Sequence, residues 1–430
     1  MIRKRGIIVK NLKELEKIGQ FSDRCMKCGF CNFFCPVYQE EKVETAVARG
    51  KNYLVRQALR GNQKFTDEMA EIIGKCLLCK RCVANCPAKT QVDRVVVGAR
   101  AQMVEEKGLG FIKNFAFRKV MSNRKAFGRY VKLARAFQWM MPRTEGKIRH
   151  LPDFLKALGH GRNIPELAKT FLRDRVKRVN KPQNGQPAKM RVGFFMGCAT
   201  DFVYPELGLK FIDFLTKHCV EVVVPEEQNC CGAAIYFSGD FKTGRMLAEE
   251  NIRAFEDVDY IVTGCGTCSS TLKGYQKYLP DSEDRQKLYG AFEKKIKDST
   301  EFLIDVLKIK PEDFKLKKEF EGKTATWHDP CHLIRYQNIK DQPRAILKGL
   351  KGLKYVEMRN ADMCCGMGGS FSVYHYDLTK KIAKKKVDGI KATGADIVVT
   401  ACPGCMINLV DNVLQNKMPQ KVHHFLELVE

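Results

Sequence analysis

Residues 361–370 read ADMCCGMGGS, and residues 226–235 read EEQNCCGAAI. Each stretch sets two adjacent cysteines before a glycine: Cys364, Cys365 and Gly366 in one, Cys230, Cys231 and Gly232 in the other. Neighbouring side chains leave a shared backbone in different directions, so one metal ion rarely takes both thiolates. Each pair has companions. Cys198, Cys265 and Cys268 complete a first set of five, and Cys331, Cys402 and Cys405 a second. Corresponding members lie 133, 134, 134, 137 and 137 positions apart. Their surroundings repeat too: RVGFFMGC against TATWHDPC, VEVVVPEEQNCCG against LKYVEMRNADMCCG, and DYIVTGCGTC against ADIVVTACPGC. Helical patterns stand between them, FKTGRMLAEENIRAF in one half and YDLTKKIAKKKVDGI in the other. Strands alternating with helices predict two tandem α/β domains, 191–318 and 319–430, related by internal duplication. Cysteines at strand ends would lie on the rim where such sheets take ligands.

The first half is different. Residues 25–36 read CMKCGFCNFFCP and residues 76–87 read CLLCKRCVANCP. Each is a C-x2-C-x2-C-x3-C-P run, whose first three thiolates serve one iron–sulfur cubane and whose fourth serves the other. The spacing therefore assigns Cys25, Cys28, Cys31 and Cys86 to one cluster, and Cys76, Cys79, Cys82 and Cys35 to a second. Zinc knuckles are the competing reading, but four cysteines and a proline exceed what tetrahedral zinc needs. The 40 residues between the runs show helical periodicity. Residues 1–100 thus resemble a bacterial-type ferredoxin domain with two 4Fe-4S clusters, here expected to be of a helical kind.

The chain has 430 residues, 19 cysteines and a net charge of +26. Residues 1–93 hold 18 Lys and Arg against 10 Asp and Glu, and residues 94–190 hold 23 against 6. Residues 191–430 are balanced, 34 against 33. Residues 101–190 read as a basic helical connector in which cations and aromatics interleave, ending in the linker NKPQNGQPAKM (180–190). This segment is a solvated connector or a docking surface for an acidic partner or anionic lipid. It carries no recognised nucleic-acid motif, so nucleic acid is not an expected partner. MIRKRGIIVK has too short an apolar run for a leader, and no stretch is long enough to span a bilayer. The expected location is the cytoplasm, with peripheral contact at the membrane face open, and a reducing compartment favours metal sites over disulfides.

A five-thiolate set with an adjacent pair exceeds the four that a cubane or zinc takes, and suggests a non-cubane cluster with bridging thiolates. At this point the chain resembles the cysteine-rich CCG-domain proteins. These include the iron–sulfur subunits of glycolate oxidase and FAD-linked lactate dehydrogenase, a subunit of anaerobic glycerol-3-phosphate dehydrogenase, and heterodisulfide reductase subunits, one of which has the same ferredoxin-plus-two-CCG order. That order of twin ferredoxin runs, linker and two CCG domains covers almost the whole chain. The resemblance implies a non-cubane 4Fe-4S cluster in each complete set, with zinc in one set as the alternative. It also implies an FAD-containing dehydrogenase or electron-transfer flavoprotein as partner, and a quinone or other carrier as acceptor.

Eighteen cysteines are thereby assigned. Cys219 is left over, and is expected to pack as a small buried residue. His328 and His332 flank Cys331 and are candidates for a hydrogen bond to a cluster or for proton transfer, against plain strand-end packing. Asp329-Pro330 reads as turn chemistry. Gly366, Gly368 and Gly369 look superficially like a phosphate loop, but close backbone approach to a cluster explains them better. No nucleotide fingerprint is evident, so neither flavin nor nicotinamide is expected in this chain. Two functions fit: an electron-transfer subunit serving a 2-hydroxy-acid dehydrogenase, or a catalytic subunit that cleaves a disulfide.

Overall fold

The computed structural model describes residues 19–146, 148–151, 161–183, 185–279 and 281–430. The opening MIRKRGIIVK and residue 184 of the linker lie outside them. Short apolar, β-branched runs such as YIVT (260–263) and IVVT (397–400) form the central strands of two sheets. The first sheet comprises β4 (Val179–Asn180), β5 (Met190–Phe194), β6 (Val220–Val223), β7 (Tyr260–Thr263) and β8 (Ile296–Asp298) in the order β4-β6-β5-β7-β8. The second comprises β9 (Thr324–Trp327), β10 (Lys354–Tyr355), β11 (Ile397–Thr400) and β12 (Lys421–His424) in the order β10-β9-β11-β12. All pairings are parallel except β4 on β6. Without β4, the two orders correspond strand for strand.

The N-terminal part is helical. Thr66 accepts the Met69 N–H to start helix Asp67–Gly74, and helix Ala48–Leu59 buries Ala48, Val55 and Ala58 on one face. Helix Val92–Lys107 buries Val95, Val96 and Ala99 in the same apolar cluster as Tyr236, Tyr275 and Tyr278 of the first α/β unit. Tyr278 Oη also donates to Asp93 Oδ2 at 2.5 Å. The ferredoxin-type helices and the first sheet therefore share a core.

Four expectations need correction. A boundary at residue 100 would cut helix Val92–Lys107. The connector is not helical throughout its described residues: β1 (Arg143–Glu145), β2 (Ile148–His150) and β3 (Asn163–Pro165) make a small antiparallel sheet, and the Asn163 N–H is held by Asp411 Oδ1 at 2.8 Å. That sheet depends on a partner 248 residues along the chain, which local periodicity does not reveal. Val179–Asn180, at the expected linker's edge, instead lengthens the first sheet. Finally, Leu316 bridges to Val429, so the second α/β unit begins before residue 319.

Candidate metal centres

Every cysteine of the two five-membered sets sits at or just beyond the carboxyl end of a parallel strand. Cys198 and Cys331 open the helices that follow β5 and β9, while Cys265 and Cys402 immediately precede the helices after β7 and β11. The adjacent pairs lie in the loops after β6 and β10. In both loops the glycine has left-handed backbone, φ +84° at Gly232 and +93° at Gly366. This turns its N–H back onto the first thiol of the pair: Gly232 N–H to Cys230 Sγ at 3.5 Å, and Gly366 N–H to Cys364 Sγ at 3.4 Å.

The two sets are not separate. In the first, Cys198 contacts Cys230, Cys230 contacts Cys231, Cys231 contacts Cys268 and Cys268 contacts Cys265. Cys265 then contacts Cys402 of the second set, where contacts continue through Cys405, Cys365 and Cys364 to Cys331. Ten thiols form one unbroken string, its second half reversing the order of the first. Thr267 Oγ1 lies 3.4 Å from Cys402 Sγ and the Gly266 N–H donates to the Ala401 carbonyl at 3.1 Å, which ties the two halves at their middle. A cavity of about 280 Å³ lies against nine of the ten cysteines.

Position along the string sets the proton affinity of each thiol. Cys364, bonded by the thiols of Cys331 and Cys365, is held well below the ordinary thiol range. Cys331, which shares the first of those bonds, is pushed well above it. Contact with Cys230 lowers Cys231, and contact with Cys265 lowers Cys402. Such a buried, mutually polarised thiol set is a soft donor array suited to iron–sulfur clusters.

The ferredoxin runs approach the second set. Cys79 is buried within electrostatic reach of Cys364 and Cys331. Arg335 Nε donates to the Cys79 carbonyl at 2.6 Å, and Tyr336 Oη donates to the Leu78 carbonyl at 2.6 Å. Cys76 lines the 280 Å³ cavity itself. Cys82 lies near Cys79, Cys35, Cys76 and Cys31, so Cys35 of the first run stands among the cysteines of the second. Helix Arg81–Ala84 packs on Phe30–Phe33 of the first run. Cys25 and Cys31 are mutual neighbours, Cys28 is exposed, and Cys86 accepts the Thr90 N–H at 3.4 Å.

His328 is fully buried, and neither ring nitrogen has a protein partner. A ring nitrogen of His328 and the sulfurs of Cys365 and Cys405 lie within 4.8 Å of one another. An unpaired imidazole there costs stability unless something in the site answers it, and a sulfur-rich cluster would. In the first unit the same strand position is Phe195: its N–H donates to Val262, as that of His328 does to Val399. His332 stacks on Tyr336 at 4.4 Å, lies 2.7 Å from Ser270 Oγ through Nδ1, and is pushed down to about 4 by burial. Cys219 stands apart from both sets; it is half-buried rather than buried and adopts φ +62° in the turn before β6. Sequence reasoning missed three buried cations: Arg335, on the helix that Cys331 itself opens, and Arg100 and Lys386, brought to the sites from helices elsewhere in the chain. The Arg100 guanidinium donates to the carbonyls of Ile73, Gly74, Cys76 and Phe237, and Lys386 Nζ to that of Ala361 at 2.8 Å.

Known proteins bear on this arrangement. Residues 192–273 and 325–410 match the family model described as cysteine-rich domain (CCG), and residues 21–90 match the 4Fe-4S dicluster domain. The chain is 30% identical to the probable glycolate oxidase iron-sulfur subunit of Bacillus subtilis, over 97% of both chains. It is 28% identical to a fumarate reductase (CoM/CoB) subunit of Methanothermobacter marburgensis, over 94% of this chain and 71% of that one. Lactate utilization protein A of Geobacillus kaustophilus is 35% identical over 56% of this chain and 98% of its own length. With ten thiols at the strand ends and two ferredoxin-type runs beside them, the chain belongs to the family of CCG-domain iron–sulfur oxidoreductase subunits.

Proposed function

We propose that this chain is the electron-transfer subunit of a multi-subunit oxidoreductase, carrying single electrons between a flavoprotein that oxidises a 2-hydroxy acid of the lactate or glycolate class and a quinone or other acceptor. The unbroken string of ten thiols, leading directly from Cys76 and Cys79 of the ferredoxin domain, carries this reading. Cys25, Cys28, Cys31 and Cys86 would hold one cubane, and Cys76, Cys79, Cys82 and Cys35 a second. Cys198, Cys230, Cys231, Cys265 and Cys268 would hold a non-cubane 4Fe-4S cluster, and Cys331, Cys364, Cys365, Cys402 and Cys405 another; zinc in one set is the alternative. Bound there, such clusters supply one-electron storage at potentials set by nearby charge, hydrogen bonds and exposure. The chain's own residues do the tuning: Arg335 and Lys386 place buried positive charge by the second set, and His328 offers it a hydrogen-bond donor. The matching strand orders and thiol strings support an origin of the two α/β units by duplication. The domain limits proposed from sequence then shift to about residue 107 for the ferredoxin unit, and to about residue 311 for the start of the second CCG unit.

The decisive experiment purifies the native complex and measures both partner and metal. Co-purification with an FAD-binding 2-hydroxy-acid dehydrogenase, together with about sixteen irons per chain at four per cluster, is the expected result. About eight irons would remove the CCG sites from the wire. A second reading, cleavage of a disulfide at the CCG sites, draws on the cavity that opens between the two thiol sets beside His332. Disulfide-dependent oxidation of the reduced holoprotein, without a flavoprotein partner, would favour it.

A further inference from the structure

A second cavity, of about 370 Å³, adjoins the thiol cavity and shares with it Cys76, Arg100, Ser238, Gly368 and Ser370. Its volume is that of a small-molecule site. Its inner wall is Cys76, of the ferredoxin run that leans on the second thiol set, and Arg100 fixes that wall through the carbonyls of Gly74 and Cys76. The outer wall is formed by Gly110, Lys113, Tyr374 and His375, with Lys113 Nζ 4.7 Å from the centre of the Tyr374 ring.

The mouth opens on an unusual surface. Phe111 and Ile112, between two lining residues, are 87% and 71% exposed. Phe115, also exposed, meets Tyr130 edge-on at 5.5 Å and so joins this rim to helix Arg124–Phe137. That helix presents Tyr130, Leu133 and Phe137 outward at spacings of three and four, and Trp139 beyond it is 77% exposed. From Lys107 to Thr144 the chain has ten Lys and Arg and no Asp or Glu. Four of these cations pair with acids from outside the segment, Lys107 with Asp67, Arg118 with Asp240, Lys132 with Asp174 and Arg143 with Glu166, and the other six leave the face net positive. Exposed aromatics on a net positive face match the anionic headgroup region of a bilayer.

From these observations we propose that this face docks on an anionic lipid surface and that the 370 Å³ cavity is the binding site of a quinone ring. The proposal rests on the electron-transfer reading above and names its acceptor. An apolar-tailed ring would slide from the lipid past Phe111 and Ile112 to reach Cys76. Lys113 and Ser370 would donate to its carbonyl oxygens. The quinone gains the two electrons that the flavoprotein removes from the hydroxy acid, singly, and two protons, one from Lys113 and one from solvent through His375, and leaves as quinol. Burial lowers the proton affinity of both Lys113 and His375, which suits that transfer.

The test uses holoprotein and vesicles of phosphatidylcholine with or without phosphatidylglycerol, containing an azido-benzoquinone with an alkyl tail. The protein should float only with the anionic vesicles. Illumination should place the label on segments 107–115 and 370–375. Phe111→Glu with Ile112→Glu should weaken flotation at least about tenfold, since two buried apolar side chains are lost from the lipid. Gly110→Trp, at a position with open space around it, should leave flotation unchanged and cut labelling by about the same factor. Label elsewhere, or flotation indifferent to the double substitution, overturns the proposal. So does a double substitution that abolishes capture of the flavoprotein and spares the vesicles. In the same samples, bleaching of the iron–sulfur absorption by hydroxy acid plus flavoprotein reports the relay separately: bleaching without label sinks the quinone site alone, and label without bleaching sinks the relay alone.

Discussion

The two thiol sets have the same strand order, the same left-handed glycine and the same string of contacts, yet their surroundings differ in charge. Around the first set, Asn251 Nδ2 donates to the Cys230 carbonyl at 3.1 Å and Tyr275 Oη to that of Cys231 at 3.0 Å. Phe195 fills the strand end there, and the charges that approach this set, Arg124, Arg173 and Asp201, stand by Cys198 and Cys230, with Arg173 paired to Asp201. Around the second set stand His328, Arg335 and Lys386, the last lowered by burial to about 8 and therefore still largely cationic at neutral pH. Positive charge favours the reduced form of a metal cluster. Clusters bound at the two sets would therefore meet different charge environments, with Arg335 and Lys386 the buried cations at the second, next to the ferredoxin run.

The strongest challenge to this contrast removes one cysteine from each set. Cys364→Ser and Cys231→Ser should each lose about four of roughly sixteen irons, and each should erase a different paramagnetic signal. If either change strips all the iron, the pair is holding the fold together and the comparison of two independent sites fails. Next in size is the glycine exchange. A β-carbon at Gly366 would lie 3.0 Å from the Thr379 carbonyl oxygen, whereas at Gly232 it would meet only side chains at 3.5 Å or more. Gly366→Ala should cost about 2–3 kcal/mol and Gly232→Ala about 1 kcal/mol, read from thermal unfolding of the holoprotein; equal losses would show that the loops are not used differently.

His328→Phe gives the second site the residue of the first. Iron content should stay unchanged, because Phe195 occupies that strand position without distortion. The potential of the second site should fall by roughly 60 mV, about one hydrogen bond for a one-electron couple. An unmoved potential in a redox titration would reduce His328 to a packing residue. Smallest is Cys219→Gly, at φ +62°: stability should change by less than about 1 kcal/mol, upward if strain relief outweighs lost chain stiffness, with no change in iron.

How much of this was legible in the chain depends on distance along it. The runs at Cys25–Pro36 and Cys76–Pro87 announce themselves because a single loop carries three closely spaced cysteines, and the CCG sets repeat at near-constant spacing. The contact of Cys265 with Cys402 leaves no such trace, since it follows from how two sheets face each other. Arg335 and Lys386 read as ordinary basic residues on amphipathic helices; only the fold turns them inward. Phe195 opposite His328 was visible in the aligned strands, but its meaning needed the unpaired imidazole. The small sheet at 143–165 eluded periodicity because its strands are three residues long and, Asn163 apart, exposed or half-exposed.

The junction of Cys265 and Cys402 also bears on how the protein is made. A ribosome releases the first α/β unit well before the residue that completes the string has been synthesised, so cluster delivery to the first set precedes closure or waits for it. Until metal arrives, Cys265 and Cys402 stand in contact, and a disulfide between them would staple the halves in a form that no cluster could enter. Maturation therefore calls for metal insertion to outpace oxidant, with the midpoint of the string as the place where the race is lost first.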